Sequence, residues 1–369
     1  MNWQNEHVRG SAPRMKAALQ QGTGVFDSPV RASGQEGNGA TLRYCSACGQ
    51  GEAVHWLRAP DRLHGRSQLY TLLRCSQCSL VWLEDPPRLE EMADHYGPDY
   101  HRLVQQAAES SPERWRRHAQ ILGRYKQKGT LLDLGCSSGA FLESLKGGPW
   151  RLYGVELSTD AAEKARARTG AEIFAGDVAN APFRPNTFDA ITCFDVLEHM
   201  HHPREVLVKV REWLKPGGVF CTFLPNIESA EARIFRSYWG GLEVPRHLYH
   251  FSPSSLRTLA ESVELKALCL KTISNSQIEY DVRYVCDDVL RRVGFPRNPV
   301  SAGVTHSLAG KVIRKVVRMT LSNPFSAICS AFGLGQSIQA ILQKPMHEMD
   351  STVKPFEHAV TEDFLTTCR

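Results

Sequence analysis

The sequence has few features that would place it in or across a membrane. Residues 1–16 contain no apolar core of the kind that a signal peptide needs, and no unbroken apolar run is long enough to span a bilayer. The nearest candidate, residues 321–342, is interrupted by asparagine, proline, glycine and glutamine. We therefore expect a cytoplasmic protein, whose thiols stay reduced.

The sequence also lacks a large excess of one charge. It has 44 Lys and Arg against 39 Asp and Glu, a net charge of +5, whereas nucleic-acid-binding proteins usually show a dense basic patch. A nucleic acid is therefore not the expected partner. The 369 residues, 42% of them hydrophobic, suffice for one large globular domain and a small one.

Composition and periodicity divide the chain into five parts. A polar stretch rich in Gly, Ser and Gln predicts disorder at the N-terminus, and alternating strands and helices begin near Gly129. The expected parts are a disordered tail at 1–40, a cysteine-containing unit at 41–87, a helical linker or lid at 88–128, the main domain at 129–345 and a tail at 346–369. A mostly helical insert at about 278–332 precedes the last strand of the main domain.

Four of the 11 cysteines form two Cys-x-x-Cys pairs, namely Cys45 with Cys48 and Cys75 with Cys78. In a reducing compartment such pairs predict metal ligands before disulfides. Two pairs together can hold one zinc ion tetrahedrally, with no open coordination position, so we expect a structural zinc. Four thiolates saturate the metal, and the histidines between the pairs are expected at the surface.

The main domain predicts an α/β fold. Short apolar runs that read as strands alternate with segments of helical periodicity, which favours a parallel sheet with helices on both faces. The fold expected is a Rossmann-like, seven-stranded, mostly parallel sheet. Its predicted strands are 130–134, 152–156, 171–175, 188–194, 218–224, 265–273 and 337–342.

The first of these strands runs into a turn of small residues. Gly135, Ser137 and Gly139 remove bulk where a backbone must approach a ligand. Asp133 ends this strand and Glu156 ends the next, at the spacing at which a carboxylate receives ribose hydroxyls. The pattern predicts a site for a nucleotide-like cofactor.

Residues 133–139 resemble motif I of the class I S-adenosylmethionine-dependent methyltransferases, with Ser137 in place of the middle glycine. Serine is small enough to be tolerated, although it does not easily adopt a positive φ. The later motifs of that family are matched by Glu156 and by the segments 176–178, 188–199 and 214–218. The turn at 214–218 and the acid at 177 argue against the alternative within this fold, a nicotinamide dehydrogenase.

The resemblance implies S-adenosylmethionine as the cofactor. It places Asp133 and the small residues of motif I, Gly135, Ser137 and Gly139, at the methionine end. It also implies that Glu156 binds the ribose, Asp177 the adenine amino group, and that Asp195 lines the cleft between cofactor and substrate.

Residues 74–83 and 95–100 resemble the zinc ribbon found before many bacterial class I methyltransferases, with Ser79 where glycine is usual. The resemblance implies that Cys45, Cys48, Cys75 and Cys78 hold the zinc. It also implies a small-molecule, sugar or lipid acceptor.

Residues 239–252 crowd polar and aromatic side chains into a short loop after the fifth strand. Histidine titrates near neutral pH, which suits a general base, so we expect His247 or His250 in that role and Arg246 as an anion clamp. His199, which follows Glu198, is a second candidate. Alternatively, the loop only leads into the helix that starts at 252–253.

Residues 311–318 of the insert form a basic amphipathic pattern. Such a helix either contacts an anionic membrane surface or, as is more common, packs on the protein with its charged face in solvent.

Three functions fit the sequence. The favoured one is methyl transfer to a small-molecule, sugar or lipid-linked acceptor, with O-, N- and C-methylation all open. The others are an RNA methyltransferase that uses the ribbon for RNA contact, and a non-catalytic cofactor-binding module. Against the RNA methyltransferase, the sequence has no Asn/Asp-Pro-Pro-Tyr/Phe motif after the fourth strand. The intact motif I argues against the non-catalytic module. The oligomeric state is left open.

Overall fold

A computed structural model describes residues 44–50, 52–96, 111–273, 278–294 and 322–346. The expected N-terminal tail, the basic segment 311–318 and residues 347–369 of the expected C-terminal tail lie outside these ranges. Within them the chain forms two β-sheets. None of the helices in the described ranges has the length and apolarity needed to cross a membrane.

The smaller sheet has four antiparallel strands. Three come from the cysteine-containing unit: β1 (Ala53–Pro60), β2 (Leu69–Cys75) and β3 (Val81–Leu83). The fourth strand, β9 (Tyr249–His250), comes from the loop after the fifth strand of the main domain and pairs with β3. The order is therefore β1-β2-β3-β9, and the sheet combines both parts of the chain.

The larger sheet has seven strands in the order β10-β11-β8-β7-β4-β5-β6. From β8 to β6, each strand is parallel to the next one in this order. Strand β11 is antiparallel to both β8 and β10. The strands are β4 (Gly129–Leu134), β5 (Trp150–Glu156), β6 (Glu172–Ala175), β7 (Phe188–Phe194), β8 (Leu214–Pro225), β10 (Lys266–Ile273) and β11 (Ser337–Gln343). The predicted seven-stranded, mostly parallel Rossmann-like sheet is confirmed.

Eight α-helices lie within the described ranges. They are α1 (Pro112–Gly123), α2 (Ala140–Ser144), α3 (Thr159–Thr169), α4 (Pro203–Trp213), α5 (Ala230–Phe235), α6 (Pro253–Glu261), α7 (Ile278–Arg292) and α8 (Asn323–Ala331). Helix α1 has Ser111 as its N-cap residue and Pro112 in its first turn. At α6, the Ser252 and Ser255 side chains form a capping box.

Helices cover both faces of the larger sheet, as predicted. Apolar side chains of α1, α2 and α3 pack with one group of buried strand residues, which includes Leu131 and Ile341. Side chains of α4 and α6 pack with the other group, which includes Leu132 and Phe188. Strands β4 and β7 are parallel neighbours at the point where the strand order reverses, and a crevice opens there at their carboxyl ends.

Candidate active site

A cavity of about 380 Å³ lies at the carboxyl ends of β4 and β7. It is lined by the turns that follow these two strands, the starts of α1 and α2, the end of β8 with the loop between β8 and β9, and residues 336–337. Its polar lining residues include Asp133, Ser137, Asp195, Glu198, His199, Glu243 and His247. Part of the residues that the sequence predicts for the cofactor and the acceptor therefore line one cavity.

The turn after β4 has the backbone that the small residues were expected to permit. Gly135 has φ +68°, and a Cβ atom there would meet Val196 Cγ2 at 2.6 Å. Ser137, expected to resist a positive φ, nevertheless has φ +48°. Ser137 thus adopts the left-handed backbone conformation that a glycine would adopt more easily, and its Cβ makes this conformation energetically less favourable.

Gly139 serves packing rather than the cavity lining. Its φ is +80°, and a Cβ atom there would lie 2.9 Å from Thr169 Cγ2 and 3.1 Å from Ala165 Cα. Glycine therefore lets the start of α2 approach α3 closely.

Glu156 ties this turn to the end of β5. One carboxylate oxygen accepts a hydrogen bond from the backbone N–H of Ser137 at 2.9 Å, and the other from the N–H of Ser158 at 2.9 Å. Burial raises the pKa of Glu156, while these N–H groups act in the opposite direction. Glu156 is not among the cavity-lining residues but holds one of them, Ser137.

Asp133 is buried beneath the cavity. Its Oδ1 accepts a hydrogen bond of 2.7 Å from the hydroxyl of Thr192, on the neighbouring strand β7. Burial raises its pKa to about 7, against a smaller opposing effect of the Thr192 hydroxyl. A cationic ligand group beside Asp133 would favour the ionised form.

Asp177 and Asp195, the other two acids that the resemblance implies for the site, lie in different places relative to the cavity. Asp177 lies outside the cavity lining and accepts a hydrogen bond of 2.8 Å from the N–H of Ala179, capping a 3-10 turn. Asp195 lines the cavity, with φ +53°, and forms an ion pair with Arg114 of α1. The Arg114 guanidinium also lies over the ring of Trp115, so the start of α1 covers one side of the cavity.

His199 and His247 lie side by side on the cavity wall, with ring centroids 4.6 Å apart. The Nδ1 of His199 lies 3.0 Å from the carbonyl oxygen of Arg246, and that of His247 lies 2.9 Å from the carbonyl oxygen of Gly241. A carbonyl accepts only, so each Nδ1 carries the proton and each Nε2 keeps its lone pair. Burial lowers the pKa of both histidines, which favours their neutral forms.

Two carboxylates adjoin this histidine pair. Glu198 is 1% exposed, its Oε1 lies 4.0 Å from His247 Nε2, and neither oxygen has a hydrogen-bond partner among the described residues. Burial raises its pKa well above the usual range. The Oε2 of Glu243 lies 3.7 Å from the same nitrogen. Sequence reasoning noted Glu198 but missed Glu243, since no motif marks it.

The comparisons with known proteins agree with this geometry. Residues 100–270 match a family model described as a methyltransferase domain. Residues 100–270 therefore carry an S-adenosylmethionine-dependent methyltransferase domain. Two relatives are named ubiquinone biosynthesis O-methyltransferase. That of Paraburkholderia phytofirmans is 26% identical over 206 residues, which is 51% of this chain and 87% of the relative.

The second relative, from Paraburkholderia xenovorans, is 27% identical over 168 residues, 42% of this chain and 70% of its own length. Among solved structures, a SAM-dependent methyltransferase from Archaeoglobus fulgidus is 16% identical, with a TM-score of 0.45. The match covers 66% of this chain and all of that one.

In this methyltransferase, two residues that the sequence offered as a general base and as an anion clamp do not reach the cavity. His250 is not among the lining residues, because it belongs to β9 and its Nε2 lies 2.9 Å from the carbonyl oxygen of Leu242. Arg246, expected as an anion clamp, is fully buried. Its guanidinium donates two hydrogen bonds to Asp61, at 3.0 and 3.2 Å, so the anion that it holds belongs to the protein itself.

The four cysteines of the methyltransferase converge as the sequence predicted. Cys45 Sγ lies 3.5 Å from Cys78 Sγ, and Cys48 Sγ lies 3.6 Å from Cys75 Sγ. All four sulfur atoms lie within 4.8 Å of one another, and the pKa of the Cys45 thiol is lowered to about 5, chiefly by Cys78.

The two pairs have the same local geometry. After each pair comes a residue with positive φ, Gly49 at +71° and Ser79 at +64°, whose N–H bonds back to the carbonyl of the first cysteine. Ser79 thus takes the conformation of the glycine that is usual there.

Proposed function

We propose that this methyltransferase transfers the methyl group of S-adenosylmethionine to a hydroxyl of a small-molecule, sugar or lipid-linked acceptor. The observation that carries the proposal is the pair His199 and His247, which lines the cavity beside the motif I turn with each Nδ1 held by a backbone carbonyl. An oxygen acceptor is also favoured by the relatives, which are named O-methyltransferases.

The position of Asp133 and the motif I turn on the cavity supports the cofactor side of the proposal. Asp133 and the backbone of Gly135 and Ser137 would hold the methionine end, because these residues line the cavity together. Glu156 would bind the ribose diol, since a carboxylate that accepts two N–H bonds still has lone pairs to accept hydroxyls. Asp177 would bind the adenine amino group, and Asp195 would mark the border with the acceptor. Gly139 would act through packing.

When bound, S-adenosylmethionine supplies a methyl group on a positively charged sulfur. The protein's task is to hold the acceptor oxygen in line with that group, and such orientation supplies much of the barrier reduction. The acceptor must also lose a proton. A histidine lone pair can accept it, or can hold a cation that makes the acceptor more acidic.

We also propose that Cys45, Cys48, Cys75 and Cys78 hold a structural zinc ion. Four sulfur donors in two equivalent turns suit tetrahedral zinc, whose bonds to sulfur are about 2.3 Å. Because β3 follows directly after the second pair and joins β9, this zinc would stabilise the segment that leads back to His247.

Calorimetry with S-adenosylhomocysteine tests the proposed function. The purified protein should bind it, and Glu156→Ala should weaken binding by about tenfold to a hundredfold, since each hydrogen bond to a charged group contributes about 1.5–3 kcal/mol. Glu172→Ala removes a surface carboxylate and is the matched control.

Incubation of a cell extract with the methyl-labelled cofactor then identifies the acceptor. Transfer of label to a small molecule or lipid fits the proposal. Label in RNA, or binding without any transfer, would contradict it.

A further inference from the structure

Glu198, His199 and His247 bring three metal-binding side chains to one point of the cavity wall. One donor atom of each lies within 4.8 Å of the other two. The three residues come from two distant segments, because 198 and 199 follow β7 and 247 precedes β9. This cluster is separate from the four cysteines.

Both histidines are oriented as metal ligands usually are. The Nδ1–H groups donate to the backbone carbonyls of Arg246 and Gly241, so the Nε2 lone pairs are the free donors. Histidine ligands of metals almost always have such an outer partner, which fixes the ring and its tautomer.

Glu198 supplies the observation that points to a ligand. It is 1% exposed, lines the cavity, and has no hydrogen-bond partner for either oxygen in the described ranges. A buried polar group without a partner is costly, and a carboxylate especially so. The nearest cationic group does not resolve this, because His247 Nε2 lies 4.0 Å from Glu198 Oε1, which exceeds a hydrogen bond.

We propose that Glu198, His199 and His247 form a site for a divalent cation, with its remaining coordination positions open to the cavity. Two imidazoles and one carboxylate suit manganese, iron, cobalt or zinc. Glu243, whose Oε2 lies 3.7 Å from His247 Nε2, adds negative charge beside the cation.

The open positions would accept water or an oxygen of the acceptor. A cation bound to an acceptor hydroxyl lowers the pKa of that hydroxyl and fixes its place relative to the methyl group. The two histidines are then ligands rather than bases, and the proton that the hydroxyl loses passes to the carboxylate of Glu243, which lines the same cavity. This role in catalysis rests on the proposed function, whereas cation binding itself does not.

Manganese binding by the full-length protein tests the site. After removal of loosely held metal by dialysis, the wild type should bind one Mn²⁺ per chain, measured by calorimetry and by electron paramagnetic resonance. Glu198→Gln and His247→Gln should each weaken binding by at least about tenfold. His250→Gln, at a buried histidine outside the cavity, is the matched control and should bind as the wild type does.

Affinity for S-adenosylhomocysteine is measured on all four proteins. Unchanged affinity shows that the variants are folded and separates this result from the proposed function, which fails if the wild type does not bind that nucleoside. The cation site is overturned if the wild type binds neither Mn²⁺ nor Co²⁺ after dialysis. It is equally overturned if both cavity variants bind Mn²⁺ as tightly as the wild type.

Discussion

Asp61 and Arg246 form a fully buried ion pair that joins the cysteine-containing unit to the acceptor side of the cavity. Asp61 directly follows β1, and both of its oxygens accept hydrogen bonds from the guanidinium. The Nε of Arg246 donates to Glu243 at 3.1 Å, and its backbone carbonyl accepts from His199. The pair therefore contacts two residues of the cavity wall.

Asp61→Asn should destabilise the protein strongly. It removes the countercharge that accepts two of the guanidinium's hydrogen bonds and leaves the buried Arg246 with Glu243 alone. Breaking a buried pair from one side typically costs about 3–5 kcal/mol. Urea unfolding measures the change. Arg151→Gln, which breaks the exposed pair with Glu172, is the control and should have little effect. Equal stability of the two variants would contradict the importance of the buried pair.

Asp133 should make the stability of the unliganded protein depend on pH. Burial raises its pKa from an ordinary value of 3.8 to about 7 in the folded protein, so folding favours the protonated form. Stability should therefore fall as the pH rises from about 4 to about 7, by up to about 1.4 kcal/mol per pH unit.

Asp133→Asn should lack this contribution while keeping an oxygen to accept the Thr192 hydroxyl. Denaturant unfolding of both proteins at pH 5, 6 and 7 gives the comparison. Parallel pH dependence would show that Asp133 titrates at its ordinary pKa.

Cys75→Ser should remove the tightly held zinc. The wild type should retain about one zinc ion per chain after dialysis and the variant none, because a tetrahedral site that loses one thiolate holds zinc much less well. Elemental analysis measures the content, and a lower melting temperature should accompany the loss. Cys286→Ser, at an exposed cysteine of α7, should change neither. Zinc retained in full by Cys75→Ser would argue against the four-cysteine site.

Gly139→Ala and Gly170→Ala separate backbone strain from packing. Both glycines have a left-handed φ, +80° and +72°, but a Cβ at 139 meets Thr169 and Ala165, whereas a Cβ at 170 meets nothing within 4 Å. The conformation alone costs about 1–2 kcal/mol, and crowding in a packed region adds about 1–3 kcal/mol. Thermal unfolding should show a larger loss at 139. Equal losses would mean that α2 and α3 move apart at no cost.

Local patterns in the sequence predicted the large sheet and the position of the cofactor turn. The strand, turn and helix around Gly135 lie within the 16 residues 129–144, so periodicity and residue size describe them. The two-residue strand β9 has no periodicity of its own and exists only because β3 lies beside it. In the same way, nothing near Arg246 in the sequence indicates Asp61, and the tautomer of His247 depends on a carbonyl that only the folded loop supplies.

The short pairing of β3 with β9 limits how this protein can be recombined with its relatives. A chimera that exchanges only residues 44–96 would place a foreign edge strand against Tyr249 and a foreign partner opposite Arg246. Segment 239–251 must therefore be exchanged along with the ribbon, because the two segments contact each other although they are distant in the chain.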